Sequence, residues 1–259
     1  MRRRPRLPPP SAVAKHSGKK PFQKVVVAAI VAVVVVALVS FAAVNLLAPK
    51  DFNGTVTVVK QGGESKGGSF RATIKDDNVI VENLDSEGEV DNTMSFDATI
   101  AARSETENTY IFTLKDAKWM TGDELIGNGD WDSGDNKLTL FIPKGLKSQN
   151  PEGFFGVTML NMLKDGRYGF ATNGYGGMNL MKFDPNGAGK SLGVAAYMNS
   201  TEEISKIDPT SDTYDEEYGS PDTGKIEDSF AWEKREDGVH VTWDDPSTFY
   251  DAVDISVTE

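Results

Sequence analysis

Apolar and polar side chains alternate with a period of two over much of the chain beyond residue 50. The alternation is unbroken at residues 94–100 and at residues 253–257. Such a period is typical of β-strands that bury one face and expose the other. Further strands are predicted at residues 55–59, 110–114 and 138–142.

Two hairpins are predicted where turn-forming residues separate a pair of strand-like runs. The tripeptides Asp-Asp-Asn and Glu-Asp-Gly each stand between two such runs, and Asn and Gly tolerate the positive φ of tight turns. The hairpins span residues 70–82 and 230–243. At least seven strands are expected over residues 48–259 in total. This number predicts an all-β domain, mainly antiparallel, built as a sandwich or a barrel.

Two stretches of this domain have a less definite pattern. Residues 157–163, in a glycine-rich region, are short and apolar, and they fit either a helix or a strand. Residues 201–228 hold ten acidic residues and two lysines. Because a charge run of this kind lacks apolar periodicity, we expect a long, mobile acidic loop on the surface.

An apolar segment precedes the β-rich domain. Residues 25–44 contain no charge, and Ser40 is their only polar residue. A helix of this length spans the hydrocarbon core of a bilayer, which predicts one transmembrane helix at residues 25–47. The run is longer than the apolar region of a cleaved signal peptide, so an uncleaved signal anchor is favoured over cleavage.

Charge predicts the orientation of this helix. Residues 1–24 contain eight basic residues and no acidic one, which predicts a disordered cytoplasmic tail and a single-pass protein of the cell membrane. The tail either contacts anionic lipid headgroups or serves only to set the topology, and the second interpretation is favoured. Residues 48–259 are then extracytoplasmic.

Composition excludes several classes of function for the outer domain. All 39 acidic residues follow residue 50, against 18 of the 27 basic ones, so this part has a formal charge of about −21. A domain this acidic repels phosphate backbones, which argues against nucleic-acid binding. The chain has no cysteine, which excludes disulfides, thiolate nucleophiles and zinc–thiolate sites and fits a bacterial envelope protein.

One cluster of acids is a candidate metal site. Asp130, Asp132 and Asp135 lie within six residues, and converging carboxylates bind calcium. The spacing does not match an EF-hand, and Asp and Gly are also common in ordinary turns. Calcium at these three residues is therefore one hypothesis, and a plain turn is the other; no other cofactor is predicted.

The segment 184–191, with the sequence DPNGAGKS, resembles the phosphate-binding loop of ABC-type ATPases. The resemblance implies that Lys190 reaches the terminal phosphates and that Ser191 helps to hold magnesium. However, Asp184 replaces the first glycine of that loop, and no convincing helix follows to direct its N-terminus at an anion. We therefore interpret this segment as a β-turn.

No catalytic residue emerges from the sequence. His240 is the only histidine beyond the apolar segment, and its strand places it opposite the valines at 239 and 241, as a solvent-facing residue. The leading hypothesis is a membrane-anchored envelope protein whose outer β-domain is a non-enzymatic binding or structural module for an unknown protein or glycan. The alternative is a carboxylate-based glycoside hydrolase or another enzyme that acts on the cell wall.

Overall fold

A computed structural model describes most of the β-rich domain. All described residues belong to one compact unit, Leu47–Glu259. For residues 131–136 and 226 only the backbone is described. The described ranges are 52–61, 69–122, 131–172, 179–218, 226–245 and 251–258.

The described part of the chain consists of fourteen strands and one short helix, α1 (Thr201–Ser205). The strands are β1 (Gly54–Gln61), β2 (Ser69–Lys75), β3 (Asn78–Leu84), β4 (Val90–Glu105), β5 (Thr109–Trp119), β6 (Trp131–Pro143), β7 (Gly153–Leu163), β8 (Tyr168–Ala171), β9 (Leu180–Phe183), β10 (Ala188–Gly193), β11 (Ala195–Met198), β12 (Ile226–Arg235), β13 (Gly238–Trp243) and β14 (Ala252–Thr258).

Twelve of the strands form a closed antiparallel barrel. The order around the ring is β7-β6-β5-β4-β3-β2-β1-β14-β13-β12-β10-β9, and β9 pairs again with β7. The prediction of an all-β, antiparallel fold is confirmed, and of the two architectures proposed the barrel is the one observed. Both predicted hairpins are present, as β2–β3 and β12–β13.

Strand β7 belongs to two sheets at once. Its residues 153–155 pair with β9 and close the barrel, whereas residues 159–162 pair with β8. β8 pairs in turn with β11, so a small satellite sheet leaves the ring at this strand. Residues 157–163, for which the sequence left helix and strand open, are therefore strand.

The interior of the barrel is filled by the inward side chains of its strands. Val56, Val79, Val239 and Val253 are each 0% exposed, although they come from four different strands. The valines of β13 face inward in alternation with His240, as the period of two requires. The core is thus a packed layer between opposite walls of the barrel, and its burial is the main force that holds the strands together.

Phe52 packs into the barrel directly before β1 and is 5% exposed. Its ring lies 5.3 Å from that of Tyr110 and 6.3 Å from that of Phe112, centroid to centroid. The guanidinium of Arg103 donates hydrogen bonds to the backbone carbonyls of Phe52 and Asp76. These contacts fix the start of β1 against β4 and β5.

The acidic stretch 201–228 differs from the long loop predicted for it. Residues 201–205 form α1, with the Ser200 hydroxyl accepting a hydrogen bond from the amide of Glu203, and β12 already begins at Ile226. Ile204 and Ile207 are buried in a second apolar cluster together with β8 and β11 residues. The segment thus begins with a helix and docks on the satellite sheet through two isoleucines, and residues 206–218 continue as turns without regular structure.

In the part of the chain that the structure describes, no helix is both long and apolar enough to cross a membrane. The predicted transmembrane segment 25–47 and the basic tail 1–24 lie outside the described residues.

Candidate functional site

Three polar side chains form a hydrogen-bonded row on the outer wall of the barrel. His240 on β13 and Asp254 on β14 face each other in register, and the His240 Nδ1 lies 2.7 Å from the Asp254 Oδ1. The Gln61 Nε2, from the end of β1, donates a hydrogen bond of 2.7 Å to the Asp254 Oδ2. Three adjacent strands therefore each contribute one residue to the row.

This arrangement defines which nitrogen of His240 carries a proton. A carboxylate only accepts hydrogen bonds, so the imidazole must donate from Nδ1 to Asp254. In the neutral ring the Nε2 then holds a lone pair and acts as an acceptor. The side chain of His240 is 21% exposed. Among the residues described, Nε2 has no hydrogen-bond partner, so it is available to a ligand.

The row borders an open groove with a volume of about 480 Å³. Gly238 is one of its lining residues, and a Cβ atom there would approach the carbonyl oxygen of Ile255 to 1.9 Å. Glycine is therefore required at this position, because the backbone of β14 occupies the space that a side chain would need. The groove is lined by Gln61, Arg235, Glu236, Asp237, Gly238, Val239, His240, Asp254, Ile255 and Ser256.

The rim of the groove is acidic and held in place. Glu236 and Asp237 form the turn of the β12–β13 hairpin. The Glu236 carbonyl accepts a 2.8 Å hydrogen bond from the Gln149 side chain, and the Asp237 carbonyl accepts a 3.2 Å bond from the Val257 amide. The backbone of the turn is therefore held by two other parts of the chain, while the side chains of Glu236 and Asp237 are exposed.

The pair His240–Asp254 has the arrangement of the base and the orienting acid in a hydrolase triad, but its nucleophile is missing. Ser256 lines the same groove, yet no hydroxyl group in the described part of the chain forms a hydrogen bond with His240. With Asp254 in place and no nucleophile beside Nε2, the row is suited to recognising a hydrogen-bond donor. The expectation that His240 faces outward is correct, while its partners were not foreseen.

A second pair of acids, Asp228 and Asp245, lies near the start of β12 and just beyond β13. Burial of the carboxyl group, and to a lesser degree the negative charge of Asp245, raise the pKa of Asp228. The Asp228 Oδ2 is buried without a hydrogen-bond partner in the described structure. Two neighbouring carboxyl groups of which one has a raised pKa are the kind of pair that acid–base catalysis uses.

The predicted calcium ligands cannot be placed at a site. Asp130 lies outside the described residues, and for Asp132 and Asp135 only the backbone, within β6, is described. Within the described ranges, no three His, Asp or Glu side chains are grouped so that they could hold a metal ion. Calcium at these residues stays a prediction.

The segment that resembles a phosphate-binding loop is a turn between β9 and β10. The Asp184 amide donates a 3.0 Å hydrogen bond to the Ala188 carbonyl, which closes the turn. The Lys190 Nζ is paired with the Glu227 carboxylate at 2.7 Å, and the Ser191 hydroxyl accepts a hydrogen bond from the indole of Trp243 inside the barrel. Lysine and serine thus point to opposite faces of a strand, and the interpretation as a β-turn is confirmed.

Sequence reasoning missed the two residues that form the row with His240, namely its partner Asp254 and Gln61, which binds Asp254. Asp254 is 14 residues and Gln61 is 179 residues away from it along the chain. One signal was available, because the alternation at residues 253–257 puts Asp254 on the face opposite Val253 and Ile255, which is the outer one. The pairing itself depends on the β13–β14 register, which no local pattern specifies.

Comparisons with models of protein families, with curated proteins and with solved structures found no match to this chain.

Proposed function

We propose that this chain is a membrane-anchored envelope protein whose outer β-barrel domain is a non-enzymatic binding module. The observation that carries the proposal is the groove beside His240, where an imidazole oriented by Asp254 lies with the acidic residues Glu236 and Asp237, whose backbone is held in place. No hydroxyl group hydrogen-bonds to His240 among the described residues, so a Ser–His nucleophile pair is not formed there, which supports recognition over acyl transfer. The anchor is proposed from the apolar run and its basic flank.

The form of the barrel supports a role at its outer surface. Its interior is occupied by buried side chains such as Phe96, Ile142 and Met181, each at most 1% exposed. A binding partner therefore meets the outer wall, where β1, β14 and β13 carry short polar side chains. These include Thr57, Ser256 and Thr242, all on outward positions.

Site-specific photo-crosslinking in intact cells tests this proposal. A photoreactive amino acid is placed in the full chain at Thr57, which pairs with the groove residue Ser256 but does not line the groove. We expect a discrete crosslinked product from this position. The matched control is Thr113 on β5, another outward and half-buried threonine, on a different side of the barrel.

Two further results decide the outcome. The Thr57 product should be lost when His240 is changed to alanine in a chain that still melts cooperatively. Equal products from Thr57 and Thr113, or none from Thr57 in correctly localised protein, would contradict a binding role for this groove.

A second candidate function follows from the acid pair Asp228 and Asp245. The raised pKa of Asp228 favours a carboxylate-based hydrolase that acts on cell-wall glycans. Release of reducing ends from purified cell-wall glycan tests it directly. Activity that disappears in both Asp228→Asn and Asp245→Asn, but not in the surface variant Asp97→Asn, would replace the binding proposal by an enzymatic one.

A further inference from the structure

We propose that Asn186, in the turn between β9 and β10, is a site of spontaneous deamidation, in which the backbone nitrogen of Gly187 displaces ammonia from the Asn186 side chain. This chemistry does not involve the groove or the proposed binding function. Four Asn-Gly pairs occur in the sequence, and those at residues 53–54 and 186–187 lie within the described residues. These two pairs have different geometries, and only that of Asn186 favours the reaction.

Deamidation of an Asn-Gly pair needs no reactant other than water. The nitrogen of Gly187 forms a bond with the Asn186 Cγ and gives up its proton to solvent, while the Cγ–Nδ2 bond breaks and Nδ2 takes up a proton and leaves as ammonia. Water then opens the cyclic imide. Attack of water at Cγ gives aspartate, and attack at the backbone carbonyl carbon of the same residue gives isoaspartate, whose main chain is longer by one methylene group.

The side chain of Asn186 is held over the backbone that attacks it. Its Oδ1 accepts a 3.3 Å hydrogen bond from the amide of Ala188, two residues further along the chain. Such a bond closes an Asx-turn, in which the side chain mimics a backbone turn and its Cγ comes close to the intervening peptide nitrogen. The reacting atoms are therefore near each other before the reaction begins, as in a near-attack conformer. Asn186 is also exposed, so water reaches it.

The nitrogen of Gly187 is available for the attack. Gly187 has a φ of +85°, which glycine adopts without strain, and it has no side chain that would shield its nitrogen. Within the described part of the chain, the Gly187 N–H forms no hydrogen bond. No contact therefore has to be broken before this nitrogen reacts.

The turn between β7 and β8 has the same local geometry but a nitrogen that is not available. The Asp165 Oδ1 accepts a 3.1 Å hydrogen bond from the Arg167 amide, and Gly166 has a φ of +84°. The Gly166 N–H, however, donates a 2.9 Å hydrogen bond to the Leu163 carbonyl. An attack by this nitrogen would first have to break that bond.

Asn53 and Gly54 form the same dipeptide with a different side-chain contact. The Asn53 Oδ1 accepts a 2.9 Å hydrogen bond from the amide of Asp76, in the turn of the β2–β3 hairpin. The carboxamide of Asn53 is thus bound to another part of the chain and must leave this contact to approach the nitrogen of Gly54. We therefore expect Asn53 to deamidate more slowly than Asn186.

The turn at Asn186 is tied to the wall of the barrel by Trp232 on β12. The Trp232 backbone N–H donates to the Gly187 carbonyl at 2.8 Å, and its indole Nε1 donates to the carbonyls of Asp184 and Ala188, each at 3.1 Å. Isoaspartate at position 186 lengthens the main chain within this set of bonds. The product should therefore loosen the contact of β10 with β12 and lower the stability of the barrel.

Peptide mapping of the aged protein tests the site. The full chain, folded in detergent micelles, is incubated in water enriched in ¹⁸O and then digested under acidic conditions, which stop the reaction. We expect the Asn186 peptide to gain one solvent oxygen and to deamidate about fivefold or more faster than the Asn53 peptide, the rate factor of one hydrogen bond worth about 1 kcal/mol. Equal rates, or a faster reaction at Asn53, would overturn the inference.

Unfolding in urea tests whether the turn geometry causes this difference. The Asn53 and Asn186 peptides should then react at similar rates, because both side chains are released from their contacts. A ratio that persists in urea would show that the neighbouring sequence, and not the fold, determines the rate. Asn186→Gln is the control for the mapped peptide and should gain no solvent oxygen, since the longer side chain forms its cyclic imide far less readily.

Asp165→Asn tests the role of the free nitrogen. This variant creates an Asn-Gly pair with the same Asx-turn, but its attacking nitrogen is bound to the Leu163 carbonyl. It should deamidate about fivefold more slowly than Asn186 in the same folded chain. Equal rates at the two turns would refute the argument from the nitrogen of Gly187.

Thermal unfolding of the aged protein tests the structural consequence. Asn186→Asp has the charge of the aspartate product with a main chain of normal length, and it should melt close to the fresh protein. A fraction enriched in isoaspartate, as measured by labelling with an isoaspartyl methyltransferase, should melt at a lower temperature. If this fraction melts together with Asn186→Asp, the longer main chain does not loosen the barrel.

Discussion

The rings of Phe70 and Phe155 stack across the interior of the barrel, with centroids 6.4 Å apart and planes 5° from parallel. The two residues belong to β2 and β7, which are five steps apart around the ring. Such a contact is only formed when opposite walls of the barrel approach each other. The interior is accordingly a packed core, so a ligand would bind at the outer wall or at the ends of the barrel.

Phe155→Ala should lower the free energy of unfolding by about 3–5 kcal/mol, since it opens a cavity between the two walls. Phe154 is the matched control, because it is the adjacent residue and points to the outer face, where it meets Phe141 at a centroid distance of 6.4 Å. Phe154→Ala should cost less than half as much. Denaturant unfolding of both variants measures the difference, and equal losses would contradict a filled interior.

Thr172 joins the barrel to the satellite sheet. Its hydroxyl donates 2.6 Å to the Leu192 carbonyl and accepts 2.7 Å from the Val194 amide, at 0% exposure. Thr172→Val preserves the shape but leaves both backbone groups without this partner, so we expect a loss of about 2 kcal/mol or more. Thr172→Ser keeps the hydroxyl and should lose less. The reverse order in thermal or denaturant unfolding would show that packing, and not hydrogen bonding, holds this junction.

Gly238→Ala should destabilise the hairpin that carries the acidic rim of the groove. The new methyl group would press on the Ile255 carbonyl in the neighbouring strand β14, at a cost of about 2 kcal/mol or more. Gly169→Ala is the control, because a Cβ there meets only the Tyr197 ring at an ordinary 3.6 Å. Comparable melting temperatures for the two variants would mean that β13 and β14 separate more easily than their packing indicates.

Asp208 should make stability depend on pH. Burial raises its pKa above the ordinary 3.8, although hydrogen bonds from the Thr210 amide and hydroxyl oppose this shift. Between 3.8 and the raised value the folded chain binds more protons than the unfolded one, so stability falls as the pH rises through that interval. Asp208→Asn removes this loss and should therefore stabilise the protein more at pH 7 than at pH 3.

Urea unfolding at the two pH values measures this effect. Asp212→Asn, on the exposed side of the same segment, is the control and should change stability little at either pH. A benefit of Asp208→Asn that is the same at pH 3 and pH 7 would contradict an origin in the titration of this carboxyl group.

The local elements of the fold were predictable from alternation and turn chemistry. Val79 and Val81 face inward after a turn at Asp76 and Asp77, just as Val239 and Val241 do after Glu236 and Asp237. Each hairpin satisfies its own backbone hydrogen bonds and needs only a buried face to be stable. Its position along the chain can therefore be predicted from neighbouring residues, although its burial depends on the other strands.

The acidic segment 201–218 shows where local reasoning fails. Its charge argues for a solvated loop, yet Ile204 and Ile207 are 5% and 0% exposed. Their burial depends on the satellite sheet, which is itself built from β8 and β11 beside a branch in β7. The composition of the segment does not predict that it packs on this sheet.

Alternation along β13 and β14 is sufficient to put His240 and Asp254 on the outer wall, because side chains in a strand change face at every residue. The order of the strands and their register are set elsewhere, by the packing of inward side chains from all twelve strands at once. That packing places Asp254 opposite His240 and brings Gln61, from the first strand, within 2.7 Å of Asp254. A site whose residues lie on different strands is therefore determined by the packing of the whole core. No single segment of the sequence specifies that packing.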